Sequence, residues 1–143
     1  MNEKELLSKL NDPFLMNMHY SFSDVENLYF VMDLMTGGDL SYHYHQQPGC
    51  FTEEQTKFFV ACVILGLEAM HKKGFMHKDL KPANVLFDAQ GYLKIADFGI
   101  AESTKPGVQQ SFLGTDGYRA PEVVLHSKHD ASIDYYALGV IAH

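Results

Sequence analysis

The chain has 143 residues, 46% of them hydrophobic and 20% charged, a composition that indicates one folded domain and excludes a disordered one. Its 11 basic and 18 acidic residues give a net charge of -7, which argues against nonspecific binding to nucleic acids or anionic membranes, because both need clustered positive charge. The two cysteines lack the spacing of a zinc site or a disulfide framework, and the longest apolar run, ten residues at 58–67, is too short to span a bilayer, so we expect an intracellular protein without membrane insertion.

The first third of the chain predicts a helix followed by a hairpin. Segment 3–10 has leucines at helical spacing, which predicts an amphipathic helix that ends before Pro13. Short apolar or aromatic runs at 18–22 and 28–32 flank five residues rich in polar side chains, and this pattern predicts a β-hairpin. The two glycines within 36–38 then end the second strand.

A long helix is predicted in the middle of the chain. Thr52 and Gln55 have the spacing of a capping box, and Gly74 can end the helix about twenty residues later. Two rows of apolar residues at helical spacing are expected to form one broad buried face: Phe58, Cys62, Leu65 and Ala69 in one row, and Phe59, Val63, Gly66 and Met70 in the other.

The remaining elements complete a mixed α+β pattern. Runs at 84–87 and 92–96 flank a turn sequence, Asp-Ala-Gln-Gly, and predict a second hairpin. We expect a loop from there to about Glu122, and a further apolar helix over 132–143.

Chemistry-bearing residues concentrate around this second hairpin. The segment 77–84 reads HKDLKPAN, and the triplet DFG follows at 97–99. Phosphoryl transfer from ATP needs a carboxylate to orient the acceptor hydroxyl, side-chain oxygens to hold Mg²⁺ on the phosphates, and a cation near the transferred group. The residues of these types are Asp79, Lys81, Asn84 and Asp97.

These motifs, in this order, resemble the catalytic loop H-R-D-L-x-x-x-N and the D-F-G of eukaryotic protein kinases, with the loop arginine replaced by Lys78; A-P-E follows at 120–122. Each motif alone has a simpler interpretation, since D-F-G can be a turn, A-P-E a helix start and Asp79 a helix cap. Their joint occurrence identifies the chain as a member of the family. The resemblance implies ATP and Mg²⁺ as cofactors, with Asp79 as the catalytic aspartate and Asn84 and Asp97 as metal ligands.

The resemblance is closest to the AGC group of serine/threonine kinases, on the segments 11–15, 28–33, 37–40 and 111–115. Lys81, two residues after the aspartate, matches the serine/threonine pattern rather than the tyrosine pattern. Serine- or threonine-bearing proteins are therefore the expected substrates. Basophilic members such as cyclic-AMP-dependent kinase have a glutamate where this chain has Ala83, so we expect a weaker preference for arginine two residues before the phosphoacceptor.

The family alignment also implies a nucleotide site and supporting residues. Glu3 falls on the helix glutamate that pairs with the ATP-binding lysine, Met32 on the gatekeeper, Asp33 to Met35 on the adenine-binding hinge, Leu86 on the floor of the adenine pocket, and Asp39 on a contact to ribose or to a basic substrate side chain. Ordinary core packing is the alternative for Met32, Met35 and Leu86.

Regulatory and structural positions are implied in the same way. Ser111 falls on the activation-segment phosphosite, with Lys78 as the cation for the phosphate and an upstream activating kinase as an expected partner; Ser103, Thr104 and Thr115 are competing hydroxyls. Residues expected to support the loop are His77, Lys78, Thr115, Glu122 and Asp134. His77 is expected to pack and to form hydrogen bonds rather than to act as a base.

The sequence also departs from the family pattern. The Gly-rich loop and the strand lysine would precede Glu3, and the helices after 143 are not in the sequence. We therefore expect a truncated two-lobed fold, with 1–35 as the end of the N-lobe and the hinge, and 36–143 as the first part of the helical C-lobe. A fragment of an active kinase is favoured over a truncated, catalytically inactive pseudokinase that binds partners, and a small-molecule kinase of the same fold is the weakest alternative.

Overall fold

A computed structural model describes residues 10–105 and 111–143. The expected helix at 3–10, with Glu3, lies outside these residues except for Leu10, which is buried. Among the described residues, no helix is both long enough and apolar enough to cross a membrane.

The first sheet is the predicted hairpin. Strand β1 (Met18–Ser23) pairs antiparallel with β2 (Leu28–Met32), and the register shifts between Met18 and Tyr20. Asp24 closes the turn, because its carboxylate accepts hydrogen bonds from the backbone N–H groups of Glu26 and Asn27. The prediction of a hairpin here is confirmed.

A short helix, α1 (Leu40–Gln46), follows the glycine break and was not predicted. Asp39 is its N-cap, since its carboxylate accepts a hydrogen bond of 2.7 Å from the Tyr42 N–H. Leu40 is the one residue of α1 that is buried, so the apolar periodicity that reveals a helix in a sequence is missing here.

The long helix α2 (Glu53–Lys72) has the predicted capping box at Thr52 and Gln55 and reaches twenty residues. The left-handed Gly74 (φ +80°) follows its C-terminus, as expected. The predicted buried face needs correction, since Phe58 and Leu65 are exposed and Leu67 is fully buried. The buried stripe consists of Cys62, Val63, Gly66, Leu67 and Met70. The helix packs on two strands, at 75–76 and 93–95, and on the last helix, at 132–142.

Two short strand pairs and two helices complete the described fold. Strand β4 (Val85–Phe87) pairs antiparallel with β5 (Leu93–Ile95), as predicted. Strand β5 packs on α2 so closely that a Cβ added at Gly66 would lie 2.9 Å from Ile95 Cδ1. The expected continuous loop up to Glu122 is wrong at β6 (Glu102–Ser103), which pairs with β3 (Phe75–Met76). The last elements are α3 (Pro121–Val124) and the predicted helix, α4 (Ser132–Ala142), which packs on α2.

Candidate active site

The candidate catalytic loop, residues 77–84, lies between β3 and β4 and ends in a 3₁₀ turn, Pro82–Asn84. Asp134 of α4 binds the backbone at the start of this loop. Its carboxylate, 1% exposed, accepts hydrogen bonds of 2.8 Å from the N–H groups of His77 and Lys78, and one of 2.7 Å from His71 Nε2. Lys78 has a left-handed backbone (φ +73°), which costs free energy in a residue with a Cβ, so Asp134 stabilises a strained turn directly before Asp79.

His77 lies under the loop, with its side chain fully buried. Its Nδ1 accepts a hydrogen bond from the Asp79 N–H (3.2 Å), which places the ring proton on Nε2, within 3.0 Å of the Ala96 carbonyl oxygen. Phe98 packs edge-on against the same ring. Because both ring nitrogens are engaged with the backbone, the contacts fit a packing role rather than proton transfer to a substrate.

Asp79 is the centre of the site, and four hydrogen bonds fix its carboxylate. Oδ1 accepts from the Thr115 N–H (2.9 Å) and hydroxyl (2.6 Å), and Oδ2 accepts from Lys81 Nζ (2.8 Å) and Asn84 Nδ2 (3.3 Å). Burial would raise the pKa of Asp79, but the hydrogen bonds from Lys81 and Thr115 and the charge of Lys81 outweigh it and lower the pKa. The carboxylate is therefore ionised and held in one orientation.

Lys81 links the two sides of the site. Its ammonium group also donates to Thr115 Oγ1 at 2.9 Å, so it bridges the loop and the segment that carries Thr115. Its side chain is 26% exposed, which leaves the charge accessible to an anion next to Asp79.

Asn84 and Asp97 lie on adjacent backbone. The Ala96 N–H donates to the Asn84 carbonyl oxygen (2.9 Å), and Asp97 follows directly, exposed and in the left-handed region (φ +63°). Asn84 Nδ2 donates to the Asp79 carbonyl oxygen at 2.8 Å, which fixes the orientation of the amide and leaves Oδ1 as its remaining metal-binding atom. The described residues hold no group of three or more His, Cys, Asp or Glu able to bind a metal. One carboxylate and one amide oxygen suit Mg²⁺ that also binds phosphate oxygens.

The expected adenine-side residues lie around the segment that joins β2 to α1. Met32, Met35 and Leu86 are half-buried and border the main core, and Leu86 forms a β-bridge with Asp39. Asp33 is tied to β5 by Lys94 (2.7 Å) and accepts hydrogen bonds from Asn17. Burial would raise the pKa of Asp33, but these donors, with His19, outweigh it and lower the pKa to about 2.

Sequence reasoning missed several residues that organise the site. His71, near the C-terminus of α2, binds Asp134, 63 positions away. Lys94 on Asp33 and Glu102 on Lys78 were not expected, since neither belongs to a motif. Glu122, by contrast, was expected from the family alignment, and it is half-buried near the start of α3.

Two comparisons with known proteins show what this chain is similar to. The family model described as "Protein kinase domain" matches residues 1–143. The chain is 40% identical to a probable serine/threonine-protein kinase of Dictyostelium discoideum (97% of this chain, 31% of the relative), 41% to G protein-coupled receptor kinase 2 of Caenorhabditis elegans (97% and 20%), and 38% to human cGMP-dependent protein kinase 2 (99% and 19%). The chain thus spans between about a fifth and a third of the length of these relatives.

Proposed function

Since this chain belongs to the protein kinase domain family, we propose that it is part of a serine/threonine protein kinase, which transfers the γ-phosphoryl group of ATP to serine or threonine hydroxyls of proteins. The observation that carries the proposal is the ionised, four-fold hydrogen-bonded Asp79 carboxylate beside the Lys81 ammonium. A carboxylate held in this way can accept a hydrogen bond from a substrate hydroxyl and orient it, and Lys81 can stabilise charge on the transferred group.

The chain's own residues also fit the cofactors. When bound, Mg²⁺ neutralises phosphate charge, and here Asp97 and the Asn84 oxygen would hold it. The hinge segment with Met32, Asp33 and Met35, and Leu86 opposite, would bind adenine, while Asp39 would contact ribose or a basic substrate side chain. Asp39 already caps α1 through one carboxylate oxygen, so the other oxygen is the one available for such a contact.

The division of the chain is part of the same proposal. Residues 1–35 would form the end of the N-lobe and the hinge, and 36–143 the first part of the C-lobe. Glu3, outside the described residues, would pair with the ATP-binding lysine. Protein substrates and an upstream kinase are the proposed partners. An intracellular location fits Cys50 and Cys62, which are free thiols, the form expected in a reducing compartment.

Phosphoryl transfer should require the family's phosphate clamp, whose Gly-rich loop and strand lysine are not among the 143 residues. We expect little transfer from the 143-residue chain alone. We expect robust transfer from a chimera in which these residues replace the matching segment of the C. elegans G protein-coupled receptor kinase 2, hereafter the flanked chain.

A single-turnover assay with labelled ATP and Mg²⁺ compares the two proteins directly. An inactive flanked chain that is folded and binds ATP would favour the pseudokinase alternative. Full activity of the 143 residues alone would show that the clamp is dispensable.

Substrate preference provides a separate prediction at Ala83, which is exposed in the 3₁₀ turn after Asp79. With alanine there, a peptide-library screen of the flanked chain should show no dominant arginine two residues before the phosphoacceptor. Ala83→Glu should increase that preference by about tenfold, because a new carboxylate would pair with the arginine. A dominant arginine in the unmodified flanked chain, unchanged by Ala83→Glu, would contradict the assignment.

A further inference from the structure

Lys78, next to Asp79, has an ammonium group that contacts three acceptor atoms. Nζ lies 2.7 Å from Glu102 Oε2, and it donates to the Ser111 carbonyl oxygen at 2.7 Å and to Ser111 Oγ at 2.6 Å. The side chain is fully buried. An ammonium group has three donors, so each of them already has an acceptor.

Glu102, in β6, supplies the negative charge for this buried cation. Its carboxylate is 19% exposed and accepts from the Ser111 N–H at 3.1 and 3.2 Å. Burial would raise the pKa of Glu102, but hydrogen bonds from Lys78 and from the side chain and backbone of Ser111 outweigh it and lower the pKa. Lys78, Glu102 and Ser111 therefore form a closed, charge-balanced cluster, hereafter the Lys78 cluster.

The Lys78 cluster holds one end of segment 111–115 on the catalytic loop. The other end is held by Thr115, which binds Asp79 and Lys81. Between them, Gly114 (φ +140°) lies so close to the loop that a Cβ would be 2.9 Å from the Lys78 carbonyl oxygen. Segment 111–115 is therefore attached to the loop at both ends, through Ser111 and through Thr115.

We propose that Glu102 is a built-in anion that keeps segment 111–115 on the catalytic loop while Ser111 is unmodified, and that phosphorylation of Ser111 weakens this attachment. The effect of a phosphate is then opposite in direction to the activation expected from the sequence. The conformational part stands on the contacts alone, and the effect on catalysis rests on the proposed function.

The chemistry of the modification explains the direction. An upstream kinase would form an Oγ–P bond on Ser111 and break the bond between the β and γ phosphates of ATP, releasing ADP and the hydroxyl proton. The hydroxyl could then no longer donate to Glu102, and close to two negative charges would stand beside that carboxylate. One Lys78 charge cannot balance both anions, so phosphate and Glu102 compete for the same cation.

Amide hydrogen exchange, measured by NMR on the 143-residue chain, tests the proposal without requiring catalysis. The reporters are the Ser111 N–H, bound to Glu102, and the Thr115 N–H, bound to Asp79. Phosphoserine incorporated at 111 should speed exchange at both amides by at least about tenfold, and Glu102→Gln should do the same. Glu68→Gln is the matched control, because it removes a carboxylate from an exposed pair with Lys72 and should leave both rates unchanged.

The two changes are then combined. If phosphate and Glu102 compete for Lys78, phosphoserine 111 in the Glu102→Gln background should slow the exchange at Thr115, the reverse of its effect beside the intact Glu102. Unchanged protection at Val63 and Leu67, buried in α2, shows that the fold is retained. Slower exchange in the phosphorylated parent chain, or the same effect of phosphate in both backgrounds, would overturn the proposal. Because no reading depends on turnover, an inactive protein would count against the proposed function alone.

Discussion

Asp79→Asn in the flanked chain is expected to lower the rate of phosphoryl transfer by about 10²- to 10⁴-fold while binding of Mg²⁺ and ATP is retained. The amide has nearly the same shape, so Thr115 and Asn84 keep a partner of similar size. It carries no charge, however, and accepts at one atom instead of two. The carboxylate that we propose to orient the substrate hydroxyl would be lost, while both proposed metal ligands, Asn84 and Asp97, would be kept.

Single-turnover rates with labelled ATP, together with nucleotide affinity measured separately, distinguish these effects. Asp24→Asn is the control, since this carboxylate closes the exposed turn of the β1–β2 hairpin. Its rate should match that of the parent. If Asp79→Asn transferred phosphate at a rate close to that of the parent, or lost nucleotide binding instead, the role assigned to Asp79 would be wrong.

The largest effect on stability is expected at Asp134. Asp134→Ala should lower the free energy of unfolding of the 143-residue chain by about 3–5 kcal/mol. The substitution leaves the N–H groups of His77 and Lys78 and the ring of His71 without their acceptor in a buried site. It also removes the hydrogen bond that holds Lys78 in its left-handed conformation.

Urea denaturation followed by circular dichroism measures this loss. Asp134→Asn retains one acceptor oxygen and should lose less than Asp134→Ala. Glu68→Ala, which removes an exposed pair with Lys72, should change the free energy by no more than about 0.5 kcal/mol. A change of under about 1 kcal/mol for Asp134→Ala would show that the loop does not depend on this carboxylate.

The elements predicted well are those that local physics decides. The capping box at Thr52 and the glycine at 74 define α2 because each satisfies backbone groups within a few residues. The two hairpins follow from short apolar runs around turn residues. Family membership followed from motifs whose order is rarely met by chance.

What the sequence did not predict depends on distant parts of the chain. Strand β6 is two residues long and forms only because β3 lies beside it, and such a strand has no periodicity of its own. Phe58 and Leu65 are apolar and at helical spacing, but α2 turns a different stripe toward β5 and α4. Periodicity identifies a face only once its neighbours are known.

In the candidate site, too, local features were predicted and contacts between distant residues were not. Motif spacing identified Asp79, Lys81, Asn84 and Asp97, but not how they are held. The pairs His71–Asp134, Lys94–Asp33 and Glu102–Lys78 join residues that are 63, 61 and 24 positions apart, and nothing local marks either partner. These contacts determine the charge balance of the site, so the charge balance could be described only from the structure.

We propose that this chain forms the catalytic centre of a serine/threonine protein kinase, and the identity of the phosphorylated residue decides between this proposal and its alternatives. The flanked chain would be incubated with labelled ATP, Mg²⁺ and a mixture of protein substrates, and the labelled proteins hydrolysed to their phosphoamino acids. We predict labelled phosphoserine and phosphothreonine, lost when Mg²⁺ is chelated and in the Asp97→Ala variant. Label in phosphotyrosine, or transfer that persists without Mg²⁺, would contradict this proposal.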